Sequence, residues 1–448
     1  TGTASFTPTD DSVYEGNETG IVAIDSVSGG SANESGTPQS VTITITENES
    51  APTVTLTTSA SSIAENAGSS LTLTATLSVA TTADVTVGIS TSGTGTEGTD
   101  YSTISDITIS AGQTTGTASF TPTDDNVYEG NETGIVAIST VSGGSATEDG
   151  TQSVTITITE NESAPTVTLT TSASSIAENA GSSLTLTAPL SVATTADVTV
   201  ALSTSGTATE GTDYTDGSGA VDDIVISAGS TTGTVSFTPT DDSIYDATSN
   251  ETATIAISGV SGGSATESGD QSVTITITDN ESAPTVTLSR SASAIDENSA
   301  STVTITATSS VATFQDVTVS IDGTGGTGTE GTDFGTVSDI TISAGNTTGT
   351  AAVDPTDDSV YEGDETAGIS ISGVSGGGAS ESGSQSVTVT ITENESAPTV
   401  TLASSASSIA ENAGTSLTLT ATISQVADED VTVTIGTAGT LSLKTSSR

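Results

Sequence analysis

Apolar and polar residues alternate along this chain with a period of two, in short bursts separated by Gly, Ser, Thr and Asp. A period of two puts successive side chains on opposite faces of a strand. In the span 52–164 the pattern predicts seven strands: 54–56 running on to 63, then 71–77, 85–89, 104–109, 116–120, 134–138 and 154–158. In the last of these, Val154, Ile156 and Ile158 face the core, and Thr155, Thr157 and Thr159 face solvent. The intervening clusters are turn formers. Seven short strands in about 110 residues, with no helical period, predict an all-β, immunoglobulin-like sandwich.

The pattern repeats. Ala-Pro-Thr-Val-Thr-Leu recurs with its proline at Pro52, Pro165, Pro284 and Pro398, so successive prolines lie 113, 119 and 114 residues apart. That period is too long for a solenoid of 20–50-residue repeats and suits domains in tandem. The expected organisation is three whole modules, 52–164, 165–283 and 284–397. They are flanked by the back half of one module (1–51) and the front half of another (398–448), as in a fragment of a longer array. Residues 441–448 leave the repeat pattern. The joint 162–164 before Pro165 is short and contains a proline boundary, which predicts a rod rather than a flexible chain.

Composition changes the picture in two ways. Hydrophobic residues make up 32% and aromatics 2% of the 448 residues, so each core is thin and an outside source of stability is expected. The charge balance is 56 acidic residues against three basic ones (Arg290, Lys444, Arg448), a net charge of −53. Such a chain repels nucleic acid and anionic membrane surfaces and attracts cations. Low hydrophobicity with high charge also describes disordered chains, but the regular alternation argues for folded strands. There is no Cys, His, Met or Trp. Disulfides, thiolate or imidazole metal sites and Cys or His catalysis are thereby excluded. No run approaches a membrane-spanning helix, and no basic-then-apolar leader opens the sequence.

The acids are not scattered. Antiparallel strands alternate in direction, so loops after odd-numbered strands share one pole of a sandwich. In 52–164, Glu65 follows the first strand and Asp100 the third. Asp124, Asp125, Glu129 and Glu132 follow the fifth, and Glu160 and Glu162 the seventh. All eight carboxylates are therefore expected at the pole beside the next module. Unit charges at 4 Å repel by about 4 kcal/mol at an effective dielectric near 20. A hard divalent cation with oxygen ligands relieves this, and calcium tolerates irregular loops better than magnesium.

Four motifs resemble the Calx-β family: Ile-Ala-Glu-Asn-Ala-Gly from Ile63, Glu-Gly-Thr-Asp-Tyr from Glu97, Phe-Thr-Pro-Thr-Asp-Asp-Asn-Val-Tyr-Glu-Gly-Asn-Glu-Thr from Phe120, and Ile-Thr-Ile-Thr-Glu-Asn-Glu from Ile156. The resemblance spans essentially the whole chain. It implies a seven-strand sandwich binding several calcium ions at its C-terminal pole. Glu65, Asp100, Asp124, Asp125, Glu129 and Glu132 would be ligands, with Val127 offering its backbone carbonyl. Glu160 and Glu162 stand where the family has an acidic tail. Asn161 replaces a further acid there, which leaves the number of ions open.

By the same alignment, 284–397 carries Glu297, Asp333, Asp357, Asp358, Glu362, Glu365, Glu393 and Glu395. The leading half module carries Asp10, Asp11, Glu15, Glu18, Glu47 and Glu49, and the trailing one Glu411. The module 165–283 departs from the pattern. It keeps Glu178, Asp213, Asp241, Asp242, Asp279 and Glu281, but has Asp246 for the first loop glutamate, and an insertion displaces the second to Glu251. Its weakest ion is expected to bind less tightly. Ten of the eleven aromatics fall in these motifs and are expected beneath the loops, leaving no platform for sugars or bases.

Dense clusters repeated in every module, without a cleft, point away from glycosidase-type carboxylate pairs and from an enzyme. The function expected is a calcium-stiffened stalk or spacer of a large extracellular surface or adhesion protein of bacterial type. Its partners are calcium and neighbouring modules. Two alternatives stand beside it: a filament subunit whose half modules complete one another head to tail, and a calcium-sensing module.

Overall fold

The computed structural model describes residues 1–246, 250–436 and 438. The inserted Ala247, Thr248 and Ser249, and the closing stretch from Leu441 to Arg448, lie outside them. All regular structure among the described residues is β, and no helix there is long and apolar enough to cross a membrane.

The unit around 52–164 is two sheets face to face. One runs in the order Thr115–Phe120, Leu71–Leu77, Thr53–Thr58, Thr147–Glu148. The other runs Ser62–Ala64, Ser153–Thr159, Glu132–Ser142, Val85–Gly93, Ile107–Ile109. The seven expected strands are all present, with two differences. The first breaks after Thr58, and its second piece, Ser62–Ala64, crosses to the other sheet and pairs in parallel with Ser153–Thr159. The fourth is only Ile107–Ile109, although Ile104 is buried ahead of it. Ile63, in the piece that crosses over, and Ile104, ahead of the shortened strand, both belong to the core cluster.

The core is the set of inward residues that the period of two marked: Val54, Leu73, Val85, Val87, Ile107, Ile109, Val136 and Ile156 have no exposed surface. Burying a Val, Leu or Ile side chain contributes about 1.5–3 kcal/mol. Three separate clusters of this kind occur, one each around 54–158, 167–277 and 286–391. Each unit thus encloses its own core. The five-stranded sheet recurs as Ser175–Ala177, Ser272–Thr278, Glu251–Ser261, Val198–Gly206, Ile224–Ile226, and again as Ala294–Asp296, Ser386–Thr392, Glu365–Ser375, Val317–Asp322, Ile340–Ile342. Toward the chain ends are two hairpin pairs, Glu18–Ala23 with Ser40–Ile45 and Val400–Ser404 with Leu419–Ile423.

Candidate metal centre

Register decides which acids meet. The parallel pairing of Ser62–Ala64 with Ser153–Thr159 ends with Ala64 opposite Thr159, and the Glu65 N–H donates to the Thr159 carbonyl at 3.0 Å. Glu65 therefore leaves the sheet beside Glu160. The antiparallel register of Glu132 against Ile158 brings the start of the strand Glu132–Ser142 to the same end. Asp100 closes a turn, its Oδ2 accepting from the Thr96 N–H at 2.6 Å. Its carbonyl accepts from Thr123 N–H at 2.9 Å, which ties this turn to the acidic loop.

The result is two sets of three carboxylates, Glu65–Glu160–Glu162 and Asp100–Glu129–Glu132, each with one oxygen per residue inside a 4.8 Å radius of the others. Glu65, Asp100, Glu129, Glu132 and Glu160 line one small cavity over Ile158. The unit around 284–397 repeats this with Glu297–Glu393–Glu395 and Asp333–Glu362–Glu365. Asp10, Asp11, Glu15, Glu18, Glu47 and Glu49 share a pocket in the leading segment. Glu411 belongs to no such group among the described residues.

The other loop acids do different work in this arrangement. Asp125 Oδ1 accepts from Val127 N–H at 2.7 Å while its own N–H donates to Glu65 Oε1 at 3.3 Å. Asp11, Asp242 and Asp358 make the same turn bond to Val13, Ile244 and Val360. Asp124 acts on Glu162, and Asp357 on Glu395, through charge. Glu160 is the anchor of the loop: its Oε2 accepts from the Glu129 and Gly130 N–H groups at 2.6 and 2.8 Å, and its Oε1 from Asn161 and Glu162.

Electrostatics separate the two kinds of acid. Burial, above all, pushes Glu65 and Glu132 up to about 7, and neighbouring carboxylates add to it. Glu365 stands at about 7 for the same reasons. Burial also works against the charge on Glu160 and Glu393, but the backbone N–H donors overcome it. Glu160 is lowered and Glu393 falls to about 2.

No protein cation answers these charges: Arg290, the one basic side chain among the described residues, is exposed and donates to the Ser293 carbonyl. The buried oxygens Glu162 Oε2 and Glu281 Oε2 have no hydrogen-bond donor. Unshared carboxylate oxygens converging in a small cavity fit a hard divalent cation, with an all-oxygen donor set.

In the unit around 165–283 only Glu178–Asp279–Glu281 forms such a triple among the described residues. Asp213, Asp246 and Glu251 form no second triple among these residues, yet they act on one another: burial first, then the charges of Asp213 and Asp246 and a side-chain hydrogen bond with Asp213, raise Glu251 to about 7. Glu178 reaches about 8, first through burial. Asp241 stands in the loop and enters no triple.

Two features were not legible in the motifs. Glu97 looks like Asp100 in sequence, yet it is structural: Oε1 accepts from Ile104 N–H at 2.6 Å and Oε2 from Thr91 Oγ1 at 2.7 Å. The aromatics also divide. Tyr101 and Phe120 are buried and stacked under the loops, centroids 4.6 Å apart. Tyr128 is half-buried and pairs with residues of the following unit instead of lying beneath its own loop.

The sequence profile of the Calx-beta domain matches residues 3–49, 47–162, 160–281 and 279–395. Among solved structures, the calcium binding domain CBD12 of CALX1.1 is 17% identical, with 44% of this chain and 77% of that one covered and a TM-score of 0.21. The apo-form Calx CBD1 domain is 17% identical over 25% of this chain and 99% of its own, at a TM-score of 0.22. Invasin, a bacterial integrin-binding protein, is 16% identical, covering 78% of this chain and 62% of that one at a TM-score of 0.27. Against curated proteins no sequence matches. With four consecutive profile matches running from residue 3 to residue 395, this chain belongs to the Calx-beta domain family.

Proposed function

We propose that the chain is a calcium-binding structural spacer of a large extracellular surface or adhesion protein, organised as modules 52–164, 165–283 and 284–397 between partial ones. Calcium, rather than another divalent ion, is favoured by the irregular loops and the high carboxylate count. The observation that carries this reading is the recurrence of converging carboxylates at the pole that adjoins the next unit. The proposed ligands are the acids of the two triples in 52–164 and in 284–397, and in 165–283 the single triple with Asp213, Asp246 and Glu251; Asp124, Asp125 and the Val127 carbonyl and their repeats complete the shell. We read the role as mechanical rather than catalytic.

Glu160 and Glu162 begin the joint itself, and an ion held between them and Glu65 tethers the joint to its own module. Without the ion the same carboxylates repel and the joint is held less firmly. The full chain is therefore expected to lengthen in small-angle scattering when calcium replaces chelator. Changing the joint pairs Glu47/Glu49, Glu160/Glu162, Asp279/Glu281 and Glu393/Glu395 to their amides should abolish the lengthening with the modules still folded. The same maximum dimension in calcium, in chelator and in the variant would sink the stiffening role.

The third acidic loop provides a second test. Asp246 is a shorter acid than Glu129, and Glu251 lies two positions later than the Glu132 spacing requires. The full chain should show one class of weaker calcium sites in calorimetric titration. Replacing residues 246–251 by Glu-Gly-Asn-Glu, as in 129–132, should remove that class. If the replaced chain titrates as before, the loop spacing does not set affinity.

A further inference from the structure

Each acidic loop has an outer edge, and that edge lies against the unit that follows. Val13 and Tyr14 pair in parallel with Ala80 and Thr81, and Val127 and Tyr128 with Ala193 and Thr194. Ile244 and Tyr245 pair with Ala312 and Thr313, and Val360 and Tyr361 with Val426 and Ala427. The register is the same at all four joints. At the third and fourth joints the tyrosine carbonyl is an acceptor: Phe314 N–H donates to Tyr245 O, and Asp428 N–H to Tyr361 O, each at 3.3 Å. The third joint keeps this register even though its loop is two residues longer.

The receiving turn is held by bonds within its own unit. Thr81, Thr194 and Thr313 are only 1, 2 and 1% exposed, although they sit in surface turns. Their Oγ1 atoms donate to the carbonyls of Ala83, Ala196 and Gln315 at 2.6 Å. Their own carbonyls accept from Gly112, Gly229 and Gly345 N–H groups at 2.8, 2.8 and 2.9 Å. A glycine with positive φ presses on each threonine; a Cβ on Gly144 would come 2.8 Å from Thr81 Oγ1, and one on Gly263 2.7 Å from Thr194 Oγ1. All these ties lie within one unit. An edge held this firmly loses little freedom when a strand docks on it.

We infer that this turn is a docking site for the acidic loop of the preceding unit, and that the resulting backbone latch, rather than the linker, fixes the angle at each joint. Recognition is through the main chain, as when a strand adds to a sheet edge. This accounts for Thr82, Thr195, Phe314 and Asp428 following the paired dipeptides without a change of register. Any unit of the array can then follow any other. Two paired residues are too few to hold free units together. The short linker supplies the rest, since a tether of this length raises the effective concentration to about the millimolar range. The latch goes beyond the calcium reading: the pairing runs from main chain to main chain, although Val127 also stands in the proposed shell and donates its N–H to Asp125 Oδ1.

The test uses the full chain, which has no native cysteine. Spin labels at Ser230→Cys and Asn346→Cys report distances across the third joint. Phe314→Pro removes the N–H that donates to Tyr245, whereas Phe314→Ala keeps it. A Gly-Ser pair inserted between Ser282 and Ala283 lengthens the linker alone. The latch predicts a distance distribution at least about twofold wider for Phe314→Pro, with Phe314→Ala and the insertion as narrow as the parent. A narrow distribution in Phe314→Pro, or an insertion that broadens it as much, overturns the latch. Unchanged melting of the proline variant confirms that its units remain folded. Running the series in calcium and in chelator keeps the two readings apart: equal widths in both would count against calcium stiffening and leave the latch standing.

Discussion

Calcium will raise the unfolding midpoint of the full chain, and the gain will be larger at pH 8 than at pH 5. The sign follows from the carboxyls that the fold raises. Glu65, Glu132, Glu251 and Glu365 stand at about 7 and Glu178 at about 8, against an ordinary 4.5. A carboxyl raised in the folded state adds stability that is fully present below its unfolded value and lost as the pH climbs through its folded one. Between pH 4.5 and 8 the calcium-free chain should therefore lose stability, by about 3 kcal/mol for Glu65 alone. Glu160 and Glu393 are lowered, and their contribution is lost only as the pH falls below the ordinary range, so they do not cancel this trend.

Calcium reverses the balance because it binds the ionised carboxylates and competes with their protons. At a thousandfold excess over its dissociation constant, a site filled only in the native state adds about 4 kcal/mol. Near pH 5 protons hold the same oxygens and the gain shrinks. Differential scanning calorimetry at both pH values, with calcium and without, reads this directly. A midpoint indifferent to calcium at pH 8 would falsify the metal assignment, and an equal gain at both pH values would show that the raised carboxyls are not the ligands.

Phe120→Ala should cost the unit around 52–164 about 3–5 kcal/mol. Phe120 is fully buried, stacks on Tyr101 and is pressed by Gly134, where a Cβ would come within 2.7 Å of the ring. Stacked aromatic pairs contribute about 0.5–1.5 kcal/mol beyond their burial. With Tyr101 the ring is also the floor beneath the loops, while the cavity itself rests on Ile158. Tyr101 follows Asp100, and the acidic loop begins four residues after Phe120. Emptying the floor should loosen both arms of the Asp100–Glu129–Glu132 set. The variant should show one unit melting early in calorimetry, while the cores around 167–277 and 286–391 melt unchanged. Phe120→Val should be milder, since the unit around 284–397 packs Val353 beside Phe334 at the matching positions, both fully buried. A loss below about 1 kcal/mol for Phe120→Ala would mean that the site collapses around the cavity and the ring is not the floor.

The strands, their inward faces and the repeat follow from the amino-acid order alone. These are local properties: a period of two assigns Val154, Ile156 and Ile158 to one face whatever lies opposite, and a recurring proline marks the period of the array. The same order also fixes the donor chemistry, since a chain without His or Cys has only oxygen donors to offer a metal. Loop parity was enough to assign the acids to one pole.

What it did not decide was which acids meet there. Glu97 and Asp100 lie three residues apart in one motif, yet one is spent on Ile104 and Thr91 and the other faces Glu129 and Glu132. Only the turn geometry, fixed by the strands on either side, separates them. Glu160 looked like a tail ligand, but the N–H groups that meet it come from a loop some thirty residues away. The crossing of the first strand between sheets and the half-buried place of Tyr128 depend likewise on pairings between distant segments. A local hydrophobic pattern carries no information about such pairings, because it records which face a residue takes and not which residue will lie across from it. The receiving turn is the clearest case: Ala193 and Thr194 are an unremarked pair in the sequence, and they become a docking edge only when the preceding unit folds and presents Val127 and Tyr128 to them.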